Sequence, residues 1–277
     1  MKPTGRVWGV PLSPLTRREA VDRVEELVRA GRPTYFITAN VHYAMLTAEV
    51  AALEAINDGA AFILADGAPL VVASRRTASP VPERVAGSDL IYDLCERSAA
   101  RGFGVFLLGG PPGIADAAAT RLVERYPGLR IVGTACPGPA DLAGPGVDEL
   151  IAQVRAAKPD ILFVALGQPK GELWLARHRE ALGVPVAAQV GATLDFVAGR
   201  VRRAPRIVQR VGMEWAFRIA TDPRRLGPRY WKNAVFLAGR LRADRALARA
   251  EATRAVATTD RAVGEVGAAT GTPGATP

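Results

Sequence analysis

Six short apolar runs alternate with helix-forming segments over the first two hundred residues. Near-continuous apolar strands separated by helices are typical of a parallel sheet that helices cover on both faces. The runs are Thr34–Thr38, Phe62–Ala65, Phe103–Leu108, Leu129–Thr134, Ile161–Leu166 and Val184–Val190. The sequence therefore predicts an α/β fold, a Rossmann-like sandwich with a mostly parallel sheet.

Helix signals lie before and between these runs. Thr16 and Glu19 have the spacing of a capping box, which predicts that the first helix begins there. We expect one helix from Val41 to about Asn57. A second is expected after the glycine-rich turn at residues 109–113, ending near Tyr126.

The positive charge of the chain is concentrated near its C-terminal end. The 277 residues have a net charge of +9. Thirteen Lys or Arg and only three acids lie between Arg200 and Arg245, so this segment carries +10 and the rest −1. Such a segment favours an anionic partner. We expect residues 1–199 to form the α/β domain, 200–245 a basic appendage, and 246–277, which have few large apolar residues, a disordered tail.

The sequence offers little for a membrane span, a secretion signal or a metal site. No apolar stretch approaches the roughly 20 residues that cross a bilayer. Residues 1–10 lack the apolar core of a signal peptide, so we expect a cytoplasmic chain. Cys95 and Cys136 are expected to be reduced, buried, structural thiols. His42 and His178 lie far apart in sequence, which disfavours a zinc site.

Polar residues follow the ends of the first two predicted strands. Thr38 and Asn40 end the first, and Asp66 ends the second. Ligands of open parallel sheets bind just beyond the carboxyl ends of the strands, so together these residues favour a site. The alternative is that they only cap the following helices. Removal from water after an apolar run would raise the pKa of Asp66 into a range that suits a base.

Two further features suit a phosphate-containing ligand. Arg84 lies in a polar stretch and could pair with a phosphate, although an ion pair with Glu83 or Asp89 is the alternative. The turn that starts with Gly109 and Gly110 leads into a helix, whose free N–H groups suit a diphosphate. Prolines interrupt that turn where a nicotinamide-binding fingerprint needs glycine, which disfavours an oxidoreductase.

Nine motifs occur in the order seen in the WecG/TagA/CpsF glycosyltransferases, and the chain resembles that family from about Trp8 to Phe236. The motifs are Thr38-Ala39-Asn40, Ala65-Asp66-Gly67, Arg84 to Asp89, Leu166 to Lys170, Val190 to Gly199, Arg203-Ala204-Pro205, Glu214-Trp215 with Arg218, Pro223 with Arg225, and Arg229-Tyr230. Each motif is short, but the ordered set is specific. A nucleotide- or nucleic-acid-binding module with a basic arm is the alternative. It would leave the polar residues at the strand ends unexplained.

The resemblance implies inverting transfer of an N-acetylhexosamine-type sugar, often N-acetylmannosamine, from a UDP-sugar to a polyprenyl-diphosphate-linked N-acetylglucosamine. Such transfer serves cell-surface polysaccharide or teichoic-acid-like synthesis. Asp66 would be the general base. The substrate-binding residues would be Thr38, Asn40, Arg84, Gly109, Gly110, Gln168, Lys170, Asp195, Arg218, Arg225 and Arg229. The chain has no Asp-x-Asp pair, so we expect arginines and helix N-termini to stabilise the leaving group, with no metal or cofactor.

One position departs from the family pattern. The family usually has Pro-Lys-Gln-Glu where this chain has Pro169-Lys170-Gly171-Glu172. The amide side chain is therefore missing at Gly171. Gln168 is a candidate source of that amide.

The basic appendage suits the surface at which lipid-linked acceptors lie. Apolar side chains could form one side of a helix there, with Lys232, Arg240 and Arg242 on the others; the apolar ones are Tyr230, Trp231, Phe236, Leu237 and Leu241. Packing of this helix on the core is the alternative. We therefore expect peripheral binding at the anionic inner face of the cell membrane, and no nucleic acid partner. Homo-oligomerisation is left open.

Overall fold

The computed structural model describes residues 5–201, 204–205 and 214–269. The chain divides into two compact units, Met1–Pro223 and Arg224–Pro277. The first unit thus extends past the boundary predicted at residue 199. The division into catalytic, membrane-proximal and tail regions stays a prediction about function.

The first unit contains one parallel sheet of six strands and a short antiparallel hairpin. The hairpin strands are β1 (Arg6–Val7) and β2 (Val10–Pro11). The sheet strands are β3 (Thr34–Ala39), β4 (Ile63–Ala65), β5 (Gly104–Gly109), β6 (Arg130–Ala135), β7 (Ile161–Ala165) and β8 (Val186–Gln189). Their order across the sheet is β4-β3-β8-β7-β5-β6, and every pairing is parallel. All six predicted apolar runs are strands of this sheet, so the predicted α/β sandwich is confirmed.

Buried side chains of the strands form the centre of the core. Phe36, Leu64, Leu107 and Phe163 are almost completely inaccessible to solvent. The rings of Phe36 and Phe62 stack with their centroids 4.8 Å apart. Strands that are apolar along their whole length require a cover on both faces.

Twelve helices are found among the described residues. They are α1 (Arg17–Ala30), α2 (Val41–Glu49), α3 (Ala52–Gly59), α4 (Ala68–Ser74), α5 (Gly87–Arg101), α6 (Ile114–Arg125), α7 (Pro139–Ala143), α8 (Val147–Ala157), α9 (Lys170–Leu182), α10 (Thr193–Val197), α11 (Glu214–Thr221) and α12 (Pro223–Ala269). Of the two cysteines, both free, Cys95 is buried as expected, whereas Cys136 is only partly buried.

The single helix predicted from Val41 to about Asn57 is wrong, because the chain breaks there into α2 and α3. Val50 ends α2 in an extended conformation, with φ −114° and ψ 97°. Its β-branched side chain disfavours the helical conformation. After the break, α3 buries the side chains of Leu53 and Ile56.

The predicted capping box is confirmed at the start of α1. The N–H of Glu19 donates to Thr16 Oγ1 at 3.2 Å, and the N–H of Thr16 donates to Glu19 Oε2 at 2.7 Å. Two backbone donors that the helix itself leaves unpaired are thereby satisfied.

An ion-pair cluster around Glu25 joins α1 to α5. The Glu25 carboxylate is only 10% exposed and lies between Arg97, Arg29 and Arg101, with Arg29 Nη2 at 2.5 Å and Arg101 Nε at 3.0 Å. The hydrogen bond from Arg97 lowers the pKa of Glu25 most, followed by the charges of Arg101 and Arg29. One carboxylate therefore pairs with three guanidinium groups.

Glu25→Gln is expected to lower the free energy of unfolding at pH 7 by about 1–3 kcal/mol, between the values for exposed and buried ion pairs. Because the fold lowers the pKa of Glu25, this stabilisation is present above the ordinary carboxyl pKa and is lost as the pH falls below it. Urea unfolding at pH 7 and pH 3.5 measures both effects. The control is Glu26→Gln, since Glu26 is 64% exposed and pairs with Arg23. Equal losses in the two variants would contradict the prediction.

The second unit is built on the helix α12. Trp231, Val235, Leu241 and Leu247 are exposed along it, and the Arg240 guanidinium lies 5.1 Å from the centre of the Phe236 ring. Residues 246–269, for which the sequence predicts disorder, continue this helix. Their many Ala and Arg residues are strong helix formers. None of the helices in the described ranges has an apolar stretch long enough to cross a bilayer.

Candidate active site

The carboxyl ends of β3 and β4 bring the first predicted site residues to one edge of the sheet. The two strands are neighbours, with Thr38 opposite Leu64 and Ala39 opposite Ala65. The N–H of Asp66 donates to the carbonyl of Ala39 at 2.7 Å. Asp66 therefore lies next to the end of β3, as the sequence predicts.

The Asp66 carboxyl combines burial with cationic neighbours. Its side chain is 23% exposed. Burial, with a smaller contribution from the charge of Glu214, raises the pKa of Asp66 to about 7, although Arg84, Arg218 and the N–H of Gly87 act against the rise. A carboxyl with this pKa exchanges its proton near neutrality, which is what a general base requires.

Arg84 bridges two carboxylates. Its Nη1 lies 3.5 Å from Asp66 Oδ1, and its Nη2 lies 3.5 Å from Asp89 Oδ2. The ion pair with Asp89, one of the alternatives to a phosphate contact, is thus present. Glu83 instead accepts a hydrogen bond from the N–H of Arg17 at 2.7 Å. Arg84 is held at the site through Asp66 itself.

Arg218, on α11, contributes a second positive charge next to Asp66. Its guanidinium lies 4.7 Å from the centre of the Phe196 ring, and its Nη2 donates to Glu214 Oε1 at 3.1 Å. The Nε of Arg218 is buried and has no hydrogen-bond partner within the described residues. Sequence reasoning gave no role to Phe196 or Glu214, although the four-residue spacing of Glu214 and Arg218 is that of a helical ion pair.

Thr38 and Asn40 are held tightly at the end of β3. Thr38 is buried, and a Cβ at Gly87 would lie 3.0 Å from its Oγ1, so glycine permits this approach of α5. Asn40 is the N-cap of α2, where its Oδ1 accepts from the N–H of Tyr43 at 3.0 Å. Asn40 therefore caps α2, the alternative role that the sequence left open for it.

The turn after β5 lies further along the same edge. Gly109 and Gly110 have φ values of +112° and +81°. A Cβ at Gly109 would lie 2.7 Å from the carbonyl oxygen of Ala165, at the end of β7. Only glycine fits this conformation and this contact, which places the start of α6 at the carboxyl end of the sheet.

The loop between β7 and α9 carries Gln168, and the exposed Lys170 is the first residue of α9. A Cβ at Gly171 would lie 2.3 Å from the Cγ of Gln189, so the Gln189 side chain occupies the space beside Gly171. The amide next to Gly171 thus comes from β8. Sequence reasoning missed Gln189; its only signal was a polar residue at the end of an apolar strand.

The profile of the "Glycosyl transferase WecG/TagA/CpsF family" matches residues 5–250. The chain belongs to the WecG/TagA/CpsF glycosyltransferase family. It is 31% identical over 226 residues to proteins of Staphylococcus aureus strains NCTC 8325 / PS 47, COL and MSSA476, which covers 80% of this chain and 86% of each relative. Each is named N-acetylglucosaminyldiphosphoundecaprenol N-acetyl-beta-D-mannosaminyltransferase. The resemblance drawn from the ordered motifs is confirmed, and the non-enzymatic binding module is set aside.

Three other predicted residues of this glycosyltransferase lie on the helices α10 and α12. Asp195, in α10, pairs with Arg200 Nη1 at 3.4 Å. Arg225 and Arg229 belong to α12, in the second unit. A substrate-binding role stays a prediction for all three.

The arrangement has the groups that glycosyl transfer needs. Asp66 can accept a proton, and two arginines lie near it. The turn at Gly109 presents a helix N-terminus on the same edge. Among the described residues, no group of three His, Cys, Asp or Glu side chains could hold a metal ion.

Proposed function

We propose that this glycosyltransferase moves N-acetylmannosamine from a UDP-sugar to a polyprenyl-diphosphate-linked N-acetylglucosamine, with inversion and without a metal ion. The observation that carries the proposal is the buried Asp66 carboxyl, which pairs with Arg84, lies within electrostatic range of Arg218 and has a pKa of about 7. The name of the Staphylococcus aureus relatives, an N-acetyl-beta-D-mannosaminyltransferase acting on N-acetylglucosaminyldiphosphoundecaprenol, supports the choice of sugar and of acceptor.

Asp66 acts as the general base in one displacement. Its carboxylate takes the proton of the acceptor hydroxyl while that oxygen attacks the anomeric carbon of the donor. The bond from this carbon to the diphosphate oxygen breaks, and UDP leaves with the electron pair. Because the attack and the departure occur on opposite faces, the configuration inverts. Thr38 and Asn40 line the sugar and acceptor pocket next to Asp66.

Positive groups of the chain stabilise the departing UDP. The Arg218 guanidinium has a buried N–H, at Nε, with no partner among the described residues, so it can donate to a phosphate oxygen. The N-terminus of α6, beyond Gly109 and Gly110, favours negative charge. Preorganised donors of this kind replace the divalent cation that an Asp-x-Asp pair would hold.

The basic segment at residues 200–245 holds the enzyme at the inner face of the cell membrane. Each Lys or Arg near an anionic surface contributes about 1 kcal/mol. Trp231 and Leu241 are exposed on α12 and can enter the interface. An acceptor with a lipid tail lies at that surface.

The experiment measures UDP release from a panel of UDP-N-acetylhexosamines and UDP-hexoses, with and without a short polyprenyl-diphosphate N-acetylglucosamine analogue. We expect turnover only with the acceptor, fastest with UDP-N-acetylmannosamine, and unchanged by EDTA. Acceptor-independent release, or a preference for a hexose donor, would contradict the proposal. In a second arm, the protein is expected to sediment with phosphatidylglycerol vesicles and not with phosphatidylcholine vesicles.

A further inference from the structure

A buried polar cluster lies at the carboxyl ends of β7 and β8 and consists of Gln168, Glu172 and Gln189. Glu172 is 2% exposed and Gln189 is 3% exposed. Gln168 belongs to the loop after β7, and Glu172 is the third residue of α9. A carboxyl group is thus enclosed between two side-chain amides.

Burial of these polar groups lowers the stability of the folded state. Gln168 Oε1, Glu172 Oε2 and Gln189 Nε2 are buried, and none of them has a hydrogen-bond partner of good geometry within the described residues. Burial raises the pKa of Glu172 to about 7, against the effect of its own N–H and of the Gln168 and Gln189 side chains. An apolar residue at position 172 would avoid this desolvation. Packing alone therefore does not explain a carboxyl here.

Gln189 is fixed from its other side. Its Oε1 accepts a hydrogen bond from the N–H of Gly191 at 2.6 Å. Gly171 leaves room for its chain, since a Cβ there would lie 2.3 Å from Gln189 Cγ. Gln189 is thus held by contacts of its own, whereas Gln168, the other side chain that hydrogen-bonds Glu172, lies on a loop.

The cluster adjoins β3, which carries Thr38 and leads into Asn40. Strand β8 lies directly beside β3 in the sheet. Burial raises the pKa of Tyr43, a residue of the helix α2 that Asn40 caps, and the charge of Glu172 adds to this rise. Glu172 therefore lies within electrostatic range of the β3 end of the active site.

We propose that Glu172 is a positioning residue that fixes the side-chain amide of Gln168 toward the substrate. This inference rests on the proposed function and on the substrate-binding role that the family resemblance implies for Gln168. The amide of Gln168 lies on a loop, and a loop side chain needs a fixed partner to keep a productive orientation. Glu172, on a helix and enclosed by packing, is that partner.

A double-mutant cycle tests this role with Glu172→Gln, Gln168→Ala and the combined variant. We expect Glu172→Gln to lower kcat about tenfold, with the KM of the donor changed less than about threefold. Its thermal midpoint should not fall, because a neutral amide costs less to bury than a carboxylate. Gln168→Ala should lower kcat about tenfold or more, and the combined variant should lower kcat no more than Gln168→Ala alone.

Glu180→Gln, on the exposed side of the same helix, is the matched control and should behave as wild type. A readout that needs no turnover is the side-chain amide NMR signal of Gln168, which should shift or broaden in Glu172→Gln and not in Glu180→Gln. Three results would each overturn the proposal. They are losses of kcat that multiply in the combined variant, a Gln168 signal that does not change in Glu172→Gln, and full activity of Glu172→Gln. Wild-type turnover of a UDP-sugar would uphold the proposed function whatever the cycle shows.

Discussion

Asp66→Asn is expected to lower kcat about a thousandfold, because the variant retains the shape of the side chain but cannot take the acceptor proton. General base catalysis contributes about 10²–10⁴-fold to a rate. In the wild type, kcat/KM should rise with pH through about 7, since burial raises the pKa of Asp66 to that value and only the carboxylate is the base. Steady-state assays of acceptor-dependent UDP release from pH 5 to pH 9 measure both effects.

Asp66→Asn is expected to lower the activity but to raise the thermal stability at pH 8. Between the ordinary carboxyl pKa of 3.8 and about 7, the folded state binds more protons at Asp66 than the unfolded state. Stability of the wild type therefore falls as the pH rises through this window. The asparagine of Asp66→Asn does not titrate, so the variant keeps its stability as the pH rises. It should have a higher thermal midpoint than the wild type at pH 8, and the difference should vanish near pH 4.

Asp58→Asn is the control, because Asp58 is an exposed carboxylate that pairs with Arg6. It should have wild-type activity and an unchanged pH profile. Turnover that survives in Asp66→Asn would keep the enzyme class and exclude this mechanism. A pH profile without a step near 7 would assign the base to another group.

Arg218→Ala is expected to lower kcat about 10²–10³-fold, the usual cost of removing one preorganised donor from a developing negative charge. The Arg218 charge lowers the pKa of Asp66, so its removal should also move the step in the pH profile to higher pH. Arg218→Lys should recover only part of the rate, because lysine keeps the charge but loses the planar fork and the stacking on Phe196.

Arg125→Ala is a matched control for lost stacking, since the Arg125 guanidinium also lies 4.7 Å from the centre of an aromatic ring, that of Tyr92. Arg125 is in the last turn of α6, away from the helix N-terminus that we assign to the diphosphate. We expect near wild-type kcat for it. Equal losses in the two alanine variants would assign the Arg218 effect to stability, and an unmoved pH step would contradict its closeness to Asp66.

Part of the active site was predictable because its signals are local. Asp66 follows an apolar strand and precedes a glycine, and this pattern alone placed it at a strand end. Glu172 has no such signal, since a glutamate in the first turn of a helix is ordinarily exposed. Its burial arises from Gln189, seventeen positions later in the chain, and from the lack of a side chain at Gly171.

By itself, the sequence determined the six strands, the capping box at Thr16 and the family, because apolar runs, cap spacing and ordered motifs depend on neighbouring residues. Only the tertiary structure decided that β3 lies between β4 and β8. This order brings Asp66 and the buried polar cluster of Gln168, Glu172 and Gln189 to opposite sides of one strand. It also decided that Arg218 lies within electrostatic range of Asp66. Strand order and helix packing arise from the burial of apolar surface across the whole fold, and no local pattern encodes contacts between residues so far apart in the chain.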